Sequence, residues 1–271
     1  MNDTVSVVGF DSAWTDKPKA PGALSIIRCI KDIPRLYLEP TLTSFGQALE
    51  IINEERSKVG KCVIAIDQPT IVPNFSGSRP VDKVASSLIS WIGGGVQPAN
   101  RSKIGMFDDA APIWKFKSEL NADDDPELAR TADQGIFLIE VFPALALPSV
   151  ELAFCRRLGA PKYNPSVRKR FRSDDWRNVL CAISKFASAQ RLQNYTDWSE
   201  RMVMEASPKK SDQDKVDAMI CALVGLHWLI APRNESVMIG DLESGYMIAP
   251  APNGINERLC SAAQLRGVPC S

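Results

Sequence analysis

The strongest constraint on how this chain folds is a set of five acidic residues placed at the boundaries of hydrophobic runs. Asp11, Asp67 and Glu140 each follow such a run, and Asp214 and Asp217 precede the most apolar helical stretch of the chain. A carboxylate at the end of a buried strand is costly unless something compensates its charge. Several acids of this kind are what a divalent-metal site requires.

The apolar runs predict one mixed sheet with helices on both of its faces. The first three runs are joined by short connections, which favours antiparallel pairing, and helices then alternate with the later strands. The pattern predicts an α/β fold with antiparallel first three strands followed by parallel strands. Strands are predicted over residues 4–11, 23–29, 34–38, 62–66, 136–142, 236–239 and 245–249. Helices are predicted over about 45–58, 80–92, 144–158, 166–189, 196–205 and 212–230.

No stretch rich in Pro, Gly and Ser divides the chain, so we expect a single domain over residues 1–271. Its hydrophobic content of 45% is enough for a sizeable core. The least regular parts are expected to be an insertion at about 95–135 and a tail at about 251–271.

Composition narrows the function classes. Lys+Arg and Asp+Glu balance at 32 each, so global charge gives no argument for a nucleic-acid or membrane partner. No signal peptide or membrane-spanning run is expected, and a membrane partner is not predicted. Seven scattered cysteines without a CxxC pair argue against structural zinc and favour a reducing, cytoplasmic location. The single histidine, His227, is interpreted as a packed helix residue, which disfavours a Ser-His-Asp mechanism.

Each acid also has a purely structural interpretation. Asp11 can simply begin a turn, and that turn is not a glycine-rich phosphate loop. Asp67 precedes a proline and can accept backbone N–H groups. Asp214 lies three residues after Ser211, as in a capping box. Asp217 directly precedes the apolar run, so we expect it to point toward the sheet, where an unpaired acid is destabilising.

Two further features are cationic. A basic segment over residues 156–177 is interpreted as a surface for phosphate backbones or, equally, as a solvated helix face. Its cations are Arg156, Arg157, Lys162, Arg168, Lys169, Arg170, Arg172 and Arg177, against the acids Asp174 and Asp175. Arg79 and Arg101, in two separate loops, can bind a phosphate or serve as salt-bridged loop anchors, and both interpretations stay open.

Four short motifs in this order and spacing resemble the domain-of-unknown-function family 429, which is described as a predicted nuclease of RNase H-like fold. They are Gly-Phe-Asp-Ser-Ala-Trp at 9–14, Ala-Ile-Asp-Gln-Pro at 65–69, Glu-Val-Phe-Pro-Ala at 140–144 and Asp-Lys-Val-Asp-Ala at 214–218. The last motif is also similar to the final helix of Holliday-junction resolvases. Lys162-Tyr163 and the loops containing Arg79 and Arg101 resemble further elements of the family.

The resemblance implies an RNase H-like fold whose first-strand, fourth-strand and C-terminal-helix acids are Asp11, Asp67 and Asp217. Asp214 corresponds to a fourth, resolvase-like acid, and Glu140 belongs to the family motif. We therefore expect a metal-dependent nuclease in which Asp11, Asp67, Asp214 and Asp217 hold Mg²⁺ or Mn²⁺. The residues expected to contact DNA or RNA are Lys162, Tyr163, Arg168, Lys169, Arg170, Arg79 and Arg101.

Two other functions fit the same sequence. One is phosphoryl transfer on the related actin-like or sugar-kinase-like fold, although the turn after Asp11 lacks the glycine that such a loop uses. The other is a non-catalytic module that binds nucleic acid or a protein. The nuclease interpretation further predicts that Asp11, Asp67 and Asp217 converge on one pocket and that the basic segment borders it.

Overall fold

The computed structural model describes residues 4–271, the side chain of Asn253 excepted, and its centre is a five-stranded mixed sheet. The strand order is β3-β2-β1-β4-β5, with the first two pairings antiparallel and the last two parallel. The sheet strands are β1 (Thr4–Asp11), β2 (Gly22–Ile30), β3 (Ile33–Thr43), β4 (Lys61–Ile66) and β5 (Gly135–Glu140). A separate antiparallel hairpin consists of β6 (Ser236–Asp241) and β7 (Gly245–Pro250).

The helices flank this sheet, as the sequence predicted. They are α1 (Phe45–Arg56), α2 (Pro80–Ile89), α3 (Pro112–Leu120), α4 (Pro126–Thr131), α5 (Pro143–Val150), α6 (Ser173–Ala189), α7 (Thr196–Met204), α8 (Lys210–Ile230) and α9 (Asn253–Gln264). Among residues 4–271, no helix is long and apolar enough to cross a membrane.

Successive strand residues bury opposite faces of the sheet. Val7 and Val63 pack into a core formed with α6, α7 and α8. Their neighbours Val8 and Ile64 pack into a second core formed with α1 and α3. The two-residue period of a strand, with both faces covered, explains why β1 and β4 are continuous apolar runs in the sequence.

Helix α8 lies directly against β1, which fixes the position of its first turns. A Cβ atom added to Gly9 would come within 2.1 Å of the Ala218 carbonyl oxygen and 2.3 Å of the Ala222 nitrogen. One at Gly225 would come within 2.8 Å of Val7 Cγ1. The Ser25 hydroxyl also donates to the Ala218 carbonyl at 3.2 Å. Glycine at these two positions therefore lets helix and strand approach closely.

Three irregular stretches differ from the sequence expectation. The tail contains α9, which packs with α2 and the β6–β7 hairpin around a third core, and a Cys260–Cys270 disulfide joins this helix to the segment that follows it. The insertion at about 95–135 contains α3 and α4. The helix expected from residue 166 begins only at Ser173, because the preceding residues form turns and the Arg172 N–H donates to the Lys162 carbonyl at 2.8 Å.

Candidate functional site

All five of the predicted acids line one cavity of about 530 Å³ at the carboxyl ends of β1, β4 and β5. Asp11 ends β1, and Asp67 follows β4, its parallel neighbour. Asp214 and Asp217 approach from the first turns of α8, which crosses that edge of the sheet. Asp11, Asp67 and Asp217 therefore line the same cavity, as expected, while a metal-bridging distance between their carboxylates stays a prediction. The reason for the shared cavity is that parallel strands end at the same edge of the sheet, and the close contact at Gly9 fixes the position of α8 against β1.

The two strand ends are tied together by the residues that follow them. The Ser12 hydroxyl donates to Gln68 Oε1 at 2.5 Å. The indole nitrogen of Trp14 donates to the Asp67 carbonyl at 2.9 Å. Ala13 and Trp14 both hold left-handed backbone, with φ of 53° and 56°. Such a conformation costs a non-glycine residue roughly 1–2 kcal/mol, so this turn keeps a strained geometry beside the acids.

Burial and mutual repulsion make the acids reluctant to ionise. The pKa of Asp11 is raised well above its usual range by burial and then by the charges of Asp67, Asp217 and Asp214. Burial and Asp217 raise the pKa of Asp67 in the same way. Burial also raises the pKa of Asp217 to about 6. The four acids therefore resist ionising together, and full ionisation would leave more negative charge than the surrounding protein neutralises.

The acids differ in their hydrogen bonding. The Tyr163 hydroxyl donates to Asp217 Oδ1 at 2.7 Å, and Gln213 Nε2 donates to Asp217 Oδ2 at 2.5 Å. By contrast, no side chain or backbone N–H within residues 4–271 donates a hydrogen bond to the carboxylate of Asp11 or Asp67. Asp11 is only 7% exposed. The oxygens of both carboxylates therefore face the cavity, where solvent or a bound cation can reach them.

Lys210 is a cation whose charge acts directly on this cluster of acids. Its ammonium group pairs with Asp214, one helical turn away. Burial lowers its pKa, but the attraction of Asp11, Asp217 and Asp214 outweighs this and raises it. The structure also revises the capping interpretation of Asp214. The helix begins at Lys210, and Asp212 accepts the Lys209 N–H at 2.9 Å, which leaves Asp214 to the cluster.

Glu140 lies at the same edge but is already paired. Arg79 donates to both of its carboxylate oxygens, at 2.6 and 2.9 Å, and the Thr70 N–H donates at 3.0 Å. Arg79 is fully buried and also binds Asp82 at 2.9 Å. Burial raises the pKa of Glu140, and Arg79 opposes that effect. In this structure Glu140 and Arg79 therefore anchor loops around the cavity, and Arg79 is not exposed to a ligand.

The other predicted substrate-binding residues lie outside the cavity wall. Arg101 is paired with Asp109 and stacks on the Trp114 ring at 4.9 Å. Lys162 donates to the Gly93 carbonyl at 2.7 Å. Three further cations, Arg168, Lys169 and Arg170, are exposed in the turns before α6. None of residues 156–177 lines the cavity, and the basic segment meets the acids through the Tyr163–Asp217 hydrogen bond.

The chemistry of the donor set fits a hard divalent cation, because oxygen ligands with excess negative charge are what Mg²⁺ and Mn²⁺ select. Within residues 4–271, however, no group of three or more His, Cys, Asp or Glu residues is arranged as a set that could hold a metal ion. The carboxylates thus supply suitable ligands without forming a ready-made cage. Binding would require them to draw together.

Sequence reasoning missed three residues of the site: Lys210, Gln213 and Trp14. A signal for the first two was present, because Lys210 precedes Asp214 by four positions and Gln213 precedes Asp217 by four. Residues four apart on a helix share a face. Trp14 belongs to the motif at residues 9–14. Its hydrogen bond to the Asp67 carbonyl joins two strand ends that are far apart in sequence, so the local sequence does not reveal it.

Comparison with known proteins gives one family match, which covers most of the chain and begins after Asp11. The model of the family described as "Protein of unknown function (DUF429)" matches residues 43–241, which is most of the sequence. No curated protein and no solved structure matches the chain. The match extends from the end of β3 to the end of β6 and includes Asp67, Glu140, Asp214 and Asp217. The chain belongs to the family of unknown function DUF429.

Proposed function

We propose that this protein is a divalent-metal-dependent nuclease of RNase H-like fold that hydrolyses phosphodiester bonds in DNA or RNA. Asp11, Asp67, Asp214 and Asp217 would hold Mg²⁺ or Mn²⁺. Support comes from the mixed sheet with its β3-β2-β1-β4-β5 order and from acids on the first strand, the fourth strand and the long helix.

The observation that carries the proposal is the charge imbalance of the cavity. Asp11 and Asp67 have raised pKa values because of burial and neighbouring acids, and neither carboxylate accepts a hydrogen bond within the described part of the chain. Lys210 supplies one positive charge against four carboxylates. An anionic phosphodiester would be repelled from such a cavity unless a divalent cation accompanied it.

The chain's own residues have distinct roles in this proposal. A bound divalent ion supplies Lewis-acid activation of water and stabilises the leaving oxygen. Tyr163 and Gln213 hold the two oxygens of Asp217 in place. Ser12 and Gln68 fix the spacing of the strand ends that carry Asp11 and Asp67. Glu140 and Arg79 anchor the surrounding loops, and Glu140 adds to the charge felt by Asp67.

Nucleic acid is the proposed partner, and the exposed Arg168, Lys169 and Arg170 are its proposed phosphate contacts. A cytoplasmic location is also part of the proposal. It is supported by five free thiols, at Cys29, Cys62, Cys155, Cys181 and Cys221, whereas the Cys260–Cys270 disulfide is of a kind that is rare in reducing compartments.

Calorimetry with Mn²⁺ and Mg²⁺ on wild type and Asp67→Asn tests the site. We expect the wild type to bind metal and the variant to lose binding by an order of magnitude or more, because the amide keeps the shape and removes the charge. The metal-free variant should be as stable as wild type or slightly more so, since repulsion among the acids is relieved. A panel of single-stranded, duplex, branched and hybrid substrates with Mn²⁺ should then show cleavage that Asp67→Asn abolishes.

The outcomes separate the candidate functions. Metal binding without cleavage of any substrate would favour phosphoryl transfer, which nucleotide-induced thermal stabilisation would then check. Absence of metal binding would contradict the proposal and favour a non-catalytic binding module.

A further inference from the structure

The cavity above the acids has an apolar wall that metal binding does not require. Its volume of about 530 Å³ lies within the range of roughly 300–1,000 Å³ that small-molecule sites occupy. The wall includes the side chains of Trp14, Pro21, Val96, Met106, Phe142 and Met247. A cavity with apolar side chains on one side and acidic side chains on another suits a ligand with one flat apolar part and one charged part.

Three of the four proposed metal-binding acids are almost fully buried in the cavity wall, and Asp67 is partly buried. Asp11, Asp214 and Asp217 are 7%, 8% and 5% exposed. A phosphodiester whose nucleotide enters the cavity can approach them. An unpaired nucleotide is free to enter, whereas a paired and stacked one must first leave the duplex, which costs free energy.

Trp14 is held where it can receive a base. Its indole N–H is committed to the Asp67 carbonyl at 2.9 Å, and its ring contacts Phe107 with centroids 5.3 Å apart. Trp14 has a left-handed φ of 56°, as does its neighbour Ala13 at 53°, and this conformation is energetically unfavourable. In this conformation the indole ring lies in the cavity wall. Tryptophan offers a flat surface for stacking any base without regard to sequence.

We propose that this cavity accepts one unpaired nucleotide, with its base against Trp14 and its phosphate directed toward Asp11, Asp67 and Asp217. This inference rests on the proposed nuclease function and restricts its substrate class to single-stranded, flapped or extruded nucleotides. A blunt, fully paired duplex is a poor substrate.

Calorimetry with uridine 5′-monophosphate and ribose 5-phosphate, each in saturating Mg²⁺, tests the inference through binding alone. The two ligands share a sugar phosphate and differ by the base. We expect the nucleotide to bind wild type about 5- to 100-fold more tightly, the range that base–aromatic stacking provides. Trp14→Ala should remove most of that difference. Phe75→Ala, an exposed aromatic that does not line the cavity, should leave it unchanged.

A second variant covers the case in which Trp14→Ala disturbs the turn. Ala20 is an exposed residue at the cavity wall, so Ala20→Trp should obstruct base entry while Mg²⁺ still binds. Equal binding of the two ligands to wild type with Mg²⁺ bound would overturn this inference and leave the nuclease proposal intact. Failure of Mg²⁺ itself to bind would overturn both.

Discussion

At the scale of single residues, Asp217 shows how burial connects protonation to stability. Burial raises its pKa in the folded protein to about 6 from an ordinary value of 3.8, while Lys210, Tyr163 and Gln213 oppose the shift. Between pH 3.8 and about 6, the folded protein therefore still holds a proton on Asp217 that the unfolded chain has already released. The metal-free protein loses stability as pH rises through this window, because its folded state must give up a proton that stabilises it.

We predict that Asp217→Asn becomes progressively more stable than wild type as pH rises from about 4 to 6 without metal. The difference should grow by about 2–3 kcal/mol, since a tenfold change in proton affinity corresponds to about 1.4 kcal/mol. The Gln213 side-chain oxygen is buried without a partner, so rotation of that amide can accept the new Asn N–H. Urea unfolding in EDTA across this range measures the difference, and a constant difference would contradict the charge assignment.

Lys210 supplies positive charge where the proposed metal would sit. We predict that Lys210→Gln binds Mn²⁺ at least several-fold more tightly, because the ion no longer competes with the ammonium group for Asp214. The same variant should be less stable without metal, since the repelling acids lose their cation. Lys209→Gln is the matched control, one residue earlier and exposed. Titration calorimetry compares the affinities. Unchanged binding in Lys210→Gln would contradict the competition for Asp214, and weaker binding would show that Lys210 assists the metal.

At the scale of elements, the close contact between α8 and β1 places the helix acids over the strand acids. We predict that Gly9→Ala destabilises the fold by about 1–3 kcal/mol and weakens divalent-metal binding, although no carboxylate is changed. The added methyl would overlap the Ala218 carbonyl and force α8 outward. Gly46→Ala is the control, because a Cβ there meets nothing within 4 Å and alanine favours helix α1.

Thermal unfolding and Mn²⁺ calorimetry on both variants check this prediction. Gly46→Ala should be as stable as wild type or more so, with unchanged metal affinity. Normal metal binding by Gly9→Ala would show that the position of α8 does not control the site.

The elements that sequence reasoning predicted are those with a strong local period. Strands β1 and β4 are bounded apolar runs, and the Ser44 capping box marks the start of α1, so their existence and ends follow from nearby residues. Helix α9 was missed although its buried residues Ile255, Leu259, Ala262 and Ala263 recur at helical spacing. Two of the four are alanines, so the apolar signal is weak, and its packing partners, α2 and the β6–β7 hairpin, are contacts that the local sequence does not record.

The same distinction applies to the site. The placement of Asp11, Asp67, Asp214 and Asp217 could be predicted because strand ends and helix starts are local features. The pairing of Arg79 with Glu140 could not, since it joins residues 61 positions apart. Both interpretations of Arg79 were consistent with its sequence, and only its complete burial shows it as a loop anchor in this structure.

At the scale of the whole molecule, a net charge of zero conceals a separation of charge. The cavity is acidic, while Arg168, Lys169 and Arg170 are exposed on the segment that reaches Asp217 through Tyr163. An anionic polymer would thus be attracted by one region and admitted to the other only with metal present. Affinity and catalysis would then depend on different residues, which makes them separable by mutation.

We predict that the combined Arg168→Gln, Lys169→Gln and Arg170→Gln variant binds a single-stranded oligonucleotide more weakly, with unchanged Mn²⁺ affinity. The slope of log affinity against log salt should fall by about 0.7 per lost phosphate contact, up to about 2 in total. A charge-matched control replaces Lys115, Lys185 and Arg201 with glutamine as well. Each of these three cations is exposed and already forms an ion pair. Both variants lower the net charge by three. An equal loss of affinity and slope would therefore assign the effect to overall charge, whereas a loss confined to the first variant locates the phosphate contacts on the basic segment.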